Sequence, residues 1–117
     1  MSVVFREAGA GDLDALLALL RDDILGQGRE DAAREVYVAA FDRILADPAH
    51  AMIVGEEGGE VVAMYQFSVI PGLALGAMRR AQLESVRVAG ERRGQGLGAA
   101  LLPLLVPDAV DRLAKRH

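Results

Sequence analysis

The chain has 117 residues, 52% of them hydrophobic, and a formal net charge of −4. A chain of this length forms one domain with one core, which we take as residues 1–117, and its negative charge argues against a nucleic-acid partner. The sequence has no cysteine, so disulfides, a thiolate nucleophile and a cysteine-bound metal are excluded.

The sequence also lacks signals for a metal site, for export or for a membrane. His50 and His117 are its two histidines, and they do not have the spacing of metal ligands. The N-terminus is charged already at Arg6, too early for a signal peptide, and no apolar run approaches the roughly 20 residues of a membrane span. We therefore expect a cytoplasmic protein without a metal and without membrane contact.

The first part of the chain is predicted to form one strand and two helices. Residues 2–6 alternate enough for a strand, and Asp12 is a plausible N-cap of a helix that ends near Asp22. Leucines recur in this helix every three or four residues and give it one apolar face. A second helix is predicted from about residue 30 to residue 46, where an Asp-Pro pair ends it.

The middle of the chain is predicted to form three antiparallel strands. Residues 51–56 and 60–69 are joined by a turn at residues 57–59 that contains two glycines, which indicates a hairpin. A loop at residues 73–78 leads to another strand at residues 79–88. Connections this short join antiparallel neighbours, so the order of elements becomes β-α-α-β-β-β-turn-α.

A glycine-rich turn follows the last predicted strand and opens a helix. Gly94, Gly96 and Gly98 alternate, so their backbone N–H groups are open to a phosphate, and the helix N-terminus and Arg92 and Arg93 add positive charge. The spacing fits neither the dinucleotide fingerprint nor a P-loop, which needs a lysine after its last glycine. We predict a pyrophosphate site; the alternative is a structural connection with solvated arginines.

Residues 93–98 have the form R-x-x-G-x-G, after an extended segment at residues 81–88 and before an apolar one at residues 99–102. This segment resembles the acetyl-CoA-binding motif of the GCN5-related N-acetyltransferases, and here it spans residues 84–102. The resemblance implies an α/β (α+β) acyl-CoA N-acyltransferase fold with a mixed, mostly antiparallel sheet and helices on both faces. It also implies transfer of an acetyl group from acetyl-CoA to a primary amine of a small molecule or peptide.

The resemblance further implies how the cofactor is held. The backbone of the last predicted strand binds the pantetheine arm, as an added strand would, and the backbone N–H groups of the glycine-rich turn bind the pyrophosphate. The cofactor-binding residues are then Val86, Val88, Arg92, Arg93, Gly94, Gln95, Gly96, Leu97 and Gly98.

Glu84 is the candidate general base. A regular pleat places it on the same side as Val86 and Val88, and apolar neighbours would raise the pKa of its carboxyl by desolvation. Many proteins that this chain resembles have a carboxylate at about this place. The alternative is a solvated glutamate, or one paired with Arg79 or Arg87.

The acceptor pocket is less defined by the sequence. In the strand predicted at residues 60–69, Tyr65 and Phe67 alternate with Met64 and Gln66, and either pair is a candidate to face the acceptor. Phe67 is expected in the core. The identity of the amine does not follow from the sequence.

The end of the chain departs from the resemblance. Pro103 and Pro107 interrupt the last helical segment, which predicts a short or kinked helix to about residue 102 and a second piece over residues 107–116. About twenty residues follow Gly98, too few for the closing strands of the family. No aromatic residue after position 67 is present to reprotonate the departing thiolate.

The fold is therefore expected to be C-terminally incomplete, with the outer edge of the last strand unpaired. A partner chain, a longer form of the chain or the tail itself would cover this edge and the apolar run at residues 101–106, and a homodimer is our prediction. The alternative function is a non-catalytic coenzyme A-binding module, or a truncated acetyltransferase completed by a partner chain.

Overall fold

The computed structural model describes residues 3–22, 32–90 and 97–116. Its strands form one sheet in the order β1-β2-β3-β4, and every neighbouring pair is antiparallel. The strands are β1 (Val4–Glu7), β2 (His50–Glu57), β3 (Glu60–Ile70) and β4 (Arg80–Val88). The predicted strands are confirmed, with ends that shift by no more than two residues.

The three longer helices are α1 (Leu13–Asp22), α2 (Arg34–Ala46) and α3 (Leu97–Lys115). A short 3-10 turn at Ala10–Asp12 precedes α1, and a short turn at Ala74–Ala77, in which Leu75, Gly76 and Ala77 have positive φ, lies between β3 and β4. Mixed α and β elements around an antiparallel sheet confirm the predicted fold class.

The turn between β2 and β3 shows why the sequence predicts this hairpin well. Gly58 and Gly59 have φ values of +61° and +83°, which L side chains adopt only with strain. Two consecutive left-handed residues match the right-handed twist of the strands that they join. Glu57 and Glu60 are therefore paired directly across the turn.

The sheet is covered on both faces, as predicted. Even-numbered residues of β2 and β3, such as Val54 and Met64, pack under α1 and α2 in one apolar cluster. Odd-numbered residues, such as Ile53 and Phe67, pack against α3 in a second cluster. The alternation of strand side chains thus divides the apolar residues between two cores.

The start of α1 differs in detail from the prediction. Asp12 lies in the 3-10 turn, and its carboxylate accepts a hydrogen bond from the backbone N–H of Gly9 at 2.7 Å rather than from an amide of α1. The Arg6 guanidinium also donates to it, at 2.8 and 3.0 Å. The Asp12 side chain therefore bonds to Arg6 of β1 and to Gly9, and does not cap α1.

The prediction that the last helix ends near residue 102 and resumes as a second piece at residue 107 is wrong. Pro103 and Pro107 both lie inside α3, which is continuous from Leu97 to Lys115. Each proline removes one backbone hydrogen bond, at a cost of about 3 kcal/mol in a helix interior. Burial of Leu105 and Ala109 against the sheet offsets that cost, because a helix that stopped at residue 102 would leave this side of the sheet uncovered.

Candidate functional site

Strand β4 is irregular at the position where the predicted site begins. Gln66 of β3 pairs with Glu84, but Met64 pairs with Arg87, so one residue of β3 lies opposite two residues of β4. Ser85 is one of these two and has a φ of +54°. This geometry is a β-bulge, a feature that redirects side chains and the edge of a strand. The pairing of β3 with β4 is therefore regular before and after Ser85, but the two parts differ in register by one residue.

The bulge corrects the predicted placement of Glu84. Glu84 is paired with Gln66, which lies on the face covered by α1 and α2, whereas Val88 is paired with Ala63, which packs with Phe5 on the face covered by α3. Directly paired residues point to the same face. The prediction that Glu84 shares one side of the pleat with Val88 is wrong, because the extra residue inverts the alternation.

Glu84 is exposed rather than buried. Its side chain makes no hydrogen bond or ion pair with any residue of the described ranges. Arg79, one of the alternative partners, donates instead to the carbonyl groups of Leu113 (3.2 Å) and Arg116 at the end of α3. The role of Glu84 as a base stays a prediction. Because its carboxylate is exposed to solvent, a water molecule can reach it and relay a proton.

The strand–connection–helix arrangement around the predicted cofactor site is present. Val86, 40% exposed, and Val88 lie at the end of β4, the outermost strand among the described residues. After β4, the N–H of Ala89 donates to Val62 at 2.8 Å. Leu97 then begins α3, with Gly98 in its first turn. The remaining predicted cofactor residues lie outside the described residues: Arg92, Arg93, Gly94, Gln95 and Gly96.

Asp22 positions the start of the connection that carries the glycines. Its carboxylate accepts a hydrogen bond from the N–H of Gly90 at 2.8 Å, so the end of α1 is joined to the end of β4. The two residues are 68 positions apart in the chain, and no local sequence pattern predicts their contact.

A cavity of about 110 Å³ lies between α1, α2 and the sheet, directly beside the bulge. Helix α1 contributes four leucines to its wall, and α2 contributes Tyr37, Ala40, Phe41 and Ile44. The sheet contributes Met64, Gln66 and Ser85. Of the two candidate pairs of β3, Met64 and Gln66 therefore face a pocket.

The other candidate pair has a structural role on the opposite face. Tyr65 and Phe67 are fully buried, which confirms the expectation for Phe67. The Tyr65 hydroxyl donates a hydrogen bond to Asp108 of α3, and Arg112 donates to the same carboxylate at 2.8 Å. Burial and the bond to Asp108 raise the pKa of Tyr65 above its ordinary value. This cluster holds α3 against the sheet.

The described ranges contain no group of three or more His, Asp or Glu side chains that could hold a metal ion. His50 is the first residue of β2, and its Nδ1 lies 2.8 Å from the hydroxyl of Ser68, its neighbour on β3. No helix in the described part of the chain is long and apolar enough to cross a bilayer.

Solved structures resemble this fold. A transcriptional regulator from Bacillus halodurans C-125 is 37% identical, with a TM-score of 0.81, and the match covers 95% of this chain and 76% of that one. A protein from Agrobacterium tumefaciens named "Putative acetyltransferase" is 29% identical over 93% of this chain and 74% of that one, with a TM-score of 0.77.

A third structure, from Clostridium acetobutylicum, is described as a "predicted acetyltransferase with acetyl-CoA". It is 20% identical over 99% of this chain and 77% of that one, and its TM-score of 0.66 shows a shared fold. No curated protein matches the sequence. The sequence model of the acetyltransferase (GNAT) family matches residues 13–116, which include the cavity, the bulge and the strand–connection–helix segment. The chain therefore belongs to the GNAT family of acetyltransferases.

Proposed function

We propose that the chain works in the cytoplasm as a single-domain, acetyl-CoA-dependent N-acetyltransferase acting on a primary amine of a small molecule or peptide. The observation that carries this proposal is the bulge at Ser85 in the outermost described strand, directly before the connection with the R-x-x-G-x-G sequence and α3. Family membership supports acetyl transfer in general. The donor and the class of acceptor are the proposed part.

The described residues fit a coenzyme A ester at this edge. No other described strand lies beyond β4, and a bulge next to Val86 bends the edge there, so a pantetheine arm has room to follow the backbone of Val86 and Val88. In the proposal the backbone N–H groups of residues 93–98 bind the pyrophosphate, and Arg92 supplies charge. The structure from Clostridium acetobutylicum, which is described with acetyl-CoA, has the same fold.

The proposed chemistry is direct transfer without an acyl-enzyme. The deprotonated amine attacks the thioester carbonyl, an N–C bond forms, the C–S bond breaks, and the thiolate of coenzyme A leaves and takes a proton from solvent. Glu84 removes the proton from the amine through a water molecule, since its carboxylate is exposed on the face that carries the cavity.

Cofactor binding is tested by titration calorimetry with coenzyme A and acetyl-CoA. The variant Gly96→Asp introduces a side chain and a negative charge at the predicted pyrophosphate site, so we expect at least a ten-fold loss of affinity. Gly11→Asp is the control, because Gly11 has open space around its Cα and lies near the start of α1. Equal affinity in both variants would contradict the proposed cofactor site.

The role of Glu84 is tested by thiol release over a panel of amines. Glu84→Gln should lower kcat by roughly 10²-fold or more and flatten the rise of kcat/KM with pH, because the general base is lost. Glu35→Gln removes the same charge from an exposed position on α2 and should change neither. Unchanged kinetics in Glu84→Gln would remove Glu84 from the mechanism.

The alternative function is a coenzyme A-binding module without catalysis, or an acetyltransferase completed by a partner chain such as a second copy. It is favoured by the position of β4, which has no further strand beside it among the described residues. Coenzyme A binding without acetylation of any amine would support the non-catalytic form. Sedimentation of a dimer, with activity that falls on dilution, would support completion by a second copy.

A further inference from the structure

We propose that the acceptor amine carries a small apolar group, a short aliphatic chain or a small ring, which occupies the cavity beside the bulge. The inference rests on the proposed function, because it places the acceptor next to the thioester at the same site. It adds the chemical class of the substrate, which neither the sequence motif nor family membership supplies.

The walls of the cavity carry the first step. Four leucines of α1 and the side chains of Phe41 and Ile44 on α2 surround it, and Met64 closes it on the sheet. A charged or strongly hydrated group would lose its water there without compensating hydrogen bonds. An apolar group is stabilised by removal from water, and the walls then gain contacts that an empty cavity lacks.

Tyr37 of α2 contributes one polar side chain to the lining, and its hydroxyl accepts a hydrogen bond from the N–H of Ala32 at 3.4 Å. The polar side chains that the sheet contributes lie at the end where chemistry is proposed. Gln66 and Ser85 are part of its lining, and Glu84 is paired with Gln66 on the same face of the sheet. The half-buried amide of Gln66 makes no side-chain hydrogen bond within the described ranges. A bound amine would therefore direct its nitrogen towards Gln66 and the bulge, and its apolar part towards the leucines.

The two faces of the sheet separate the acceptor from the cofactor. The cavity lies on the face covered by α1 and α2, whereas Val88 and α3, which follows the glycine-rich connection, lie on the opposite face. An acceptor in the cavity would therefore approach the thioester from the side opposite to α3. This placement favours the amine over the acyl chain of the donor as the occupant.

The size of the cavity limits the group. A dry cavity of about 150 Å³ binds benzene, so the volume of about 110 Å³ found here corresponds to a group of roughly four to six carbon atoms. The cavity reaches the surface at Ala40, an exposed residue of α2 that contributes to its lining. A substrate can enter there without unfolding the core.

The test measures kcat/KM with acetyl-CoA for methylamine, propylamine, pentylamine and octylamine. Each methylene buried should raise kcat/KM about four-fold until the cavity is full, and octylamine should gain little more. Ala40→Leu fills the opening and should lower kcat/KM for pentylamine at least ten-fold, with little effect on methylamine. Ala39→Leu makes the same change at an exposed neighbouring position that does not line the cavity and should match the wild type.

Rates that do not change along the amine series, or equal effects of the two leucine substitutions, would overturn the inference while leaving acetyl transfer intact. A second arm pairs methylamine with butyryl-CoA; if Ala40→Leu discriminates between acyl donors instead of amines, the cavity belongs to the donor and the assignment is wrong. Titration with coenzyme A checks that both leucine variants retain the cofactor site.

A binding measurement keeps the inference testable if no transfer is observed at all, which would be a failure of the proposed function. Pentylamine alone should then raise the Tm of the wild type and of Ala39→Leu, but not that of Ala40→Leu. The variant Phe41→Leu enlarges the cavity and should shift the preferred amine to a longer one. Absence of a pentylamine shift in the wild type would refute the inference independently.

Discussion

At the scale of single residues, Arg6 of β1 connects the 3-10 turn that follows it to β2, 50 positions further along the chain. Its guanidinium donates to Asp12 in the 3-10 turn and to Glu56 of β2, with N···O distances of 2.5–3.0 Å. The hydrogen bond from Arg6, together with the N–H of Gly9, lowers the pKa of Asp12 below its ordinary value. A lowered pKa means that the folded protein favours the ionised carboxylate.

We expect Asp12→Asn to lower the Tm at neutral pH. The contribution of the ionised carboxylate is fully present above the unfolded pKa of about 3.9 and is lost as the pH falls through the lower folded pKa. The difference in Tm between wild type and variant should therefore disappear in acid. Calorimetry from pH 2.5 to 7 measures it, and a difference that stays constant over this range would contradict the assignment.

Tyr65 gives a prediction of opposite sign. Its raised pKa means that the folded protein holds the phenolic proton more tightly than the unfolded chain, so this stability is present below a pH of about 10 and is lost as the pH rises further. Tyr65→Phe should lower the free energy of unfolding by about 1–2 kcal/mol at pH 7, because the hydrogen bond to Asp108 is lost. It should also flatten the alkaline decrease in stability, as measured by urea unfolding from pH 7 to 11.

At the scale of elements, the C-terminal end of α3 is joined to the rest of the molecule by hydrogen bonds. Arg79 donates to the carbonyl groups of Leu113 and Arg116, which no further helical turn can satisfy. Arg116 in turn donates to the carbonyl of Pro48 and to Glu7, both at 2.6 Å. These contacts join the helix end to β1, to the residue directly before β4 and to the turn before β2.

The two prolines of α3 make a test of what stabilises this helix. Pro103→Ala and Pro107→Ala each restore a backbone N–H and remove a steric clash, so each should raise the free energy of unfolding by about 1–2 kcal/mol after the greater entropy of the unfolded chain is counted. Val110→Ala, an exposed substitution in the same helix, should change it by less. A lower free energy of unfolding in both proline variants would contradict this expectation and show that the two prolines stabilise the folded protein.

At the scale of the whole molecule, stability depends on a sheet that is covered on both faces. Leu105, 3% exposed, fills the space between α3 and the sheet, whereas its neighbour Leu104 is 43% exposed. Leu105→Ala should therefore lower the free energy of unfolding by about 2–4 kcal/mol, and Leu104→Ala by less than about 1 kcal/mol. Urea unfolding compares them, and equal losses would contradict the observed orientation of α3.

Much of the fold could be predicted because its signals are local. The alternation of β2 and β3, the two glycines between them and the leucine spacing of α1 each depend on residues within one turn or one strand. The same holds for the glycine spacing that led to the family, which the family match over residues 13–116 then established. These patterns express backbone geometry and amphipathicity, which the sequence encodes directly.

The errors fall where long-range contacts outweigh local preference. Pro107 favours a break in the helix. However, Leu105 and Ala109 on either side of it are buried by residues of β2 and β3, which lie some forty positions or more earlier in the chain. Ser85 has no local feature that requires a φ of +54°, and the bulge there decides which face carries Glu84. Hydrogen bonding across the sheet determines such a shift of register.

The sequence by itself determined the class of fold, the family and the segment expected to bind a pyrophosphate. Glycine spacing and hydrophobic periodicity are local patterns, which can be recognised without knowing what the segment contacts in the folded protein. Only the tertiary structure decided that α3 is continuous, that Glu84 is exposed on the face of α1 and α2, and that an apolar cavity lies beside Ser85. Each depends on side chains brought together from distant parts of the chain, and their packing and register are properties of the folded sheet as a whole.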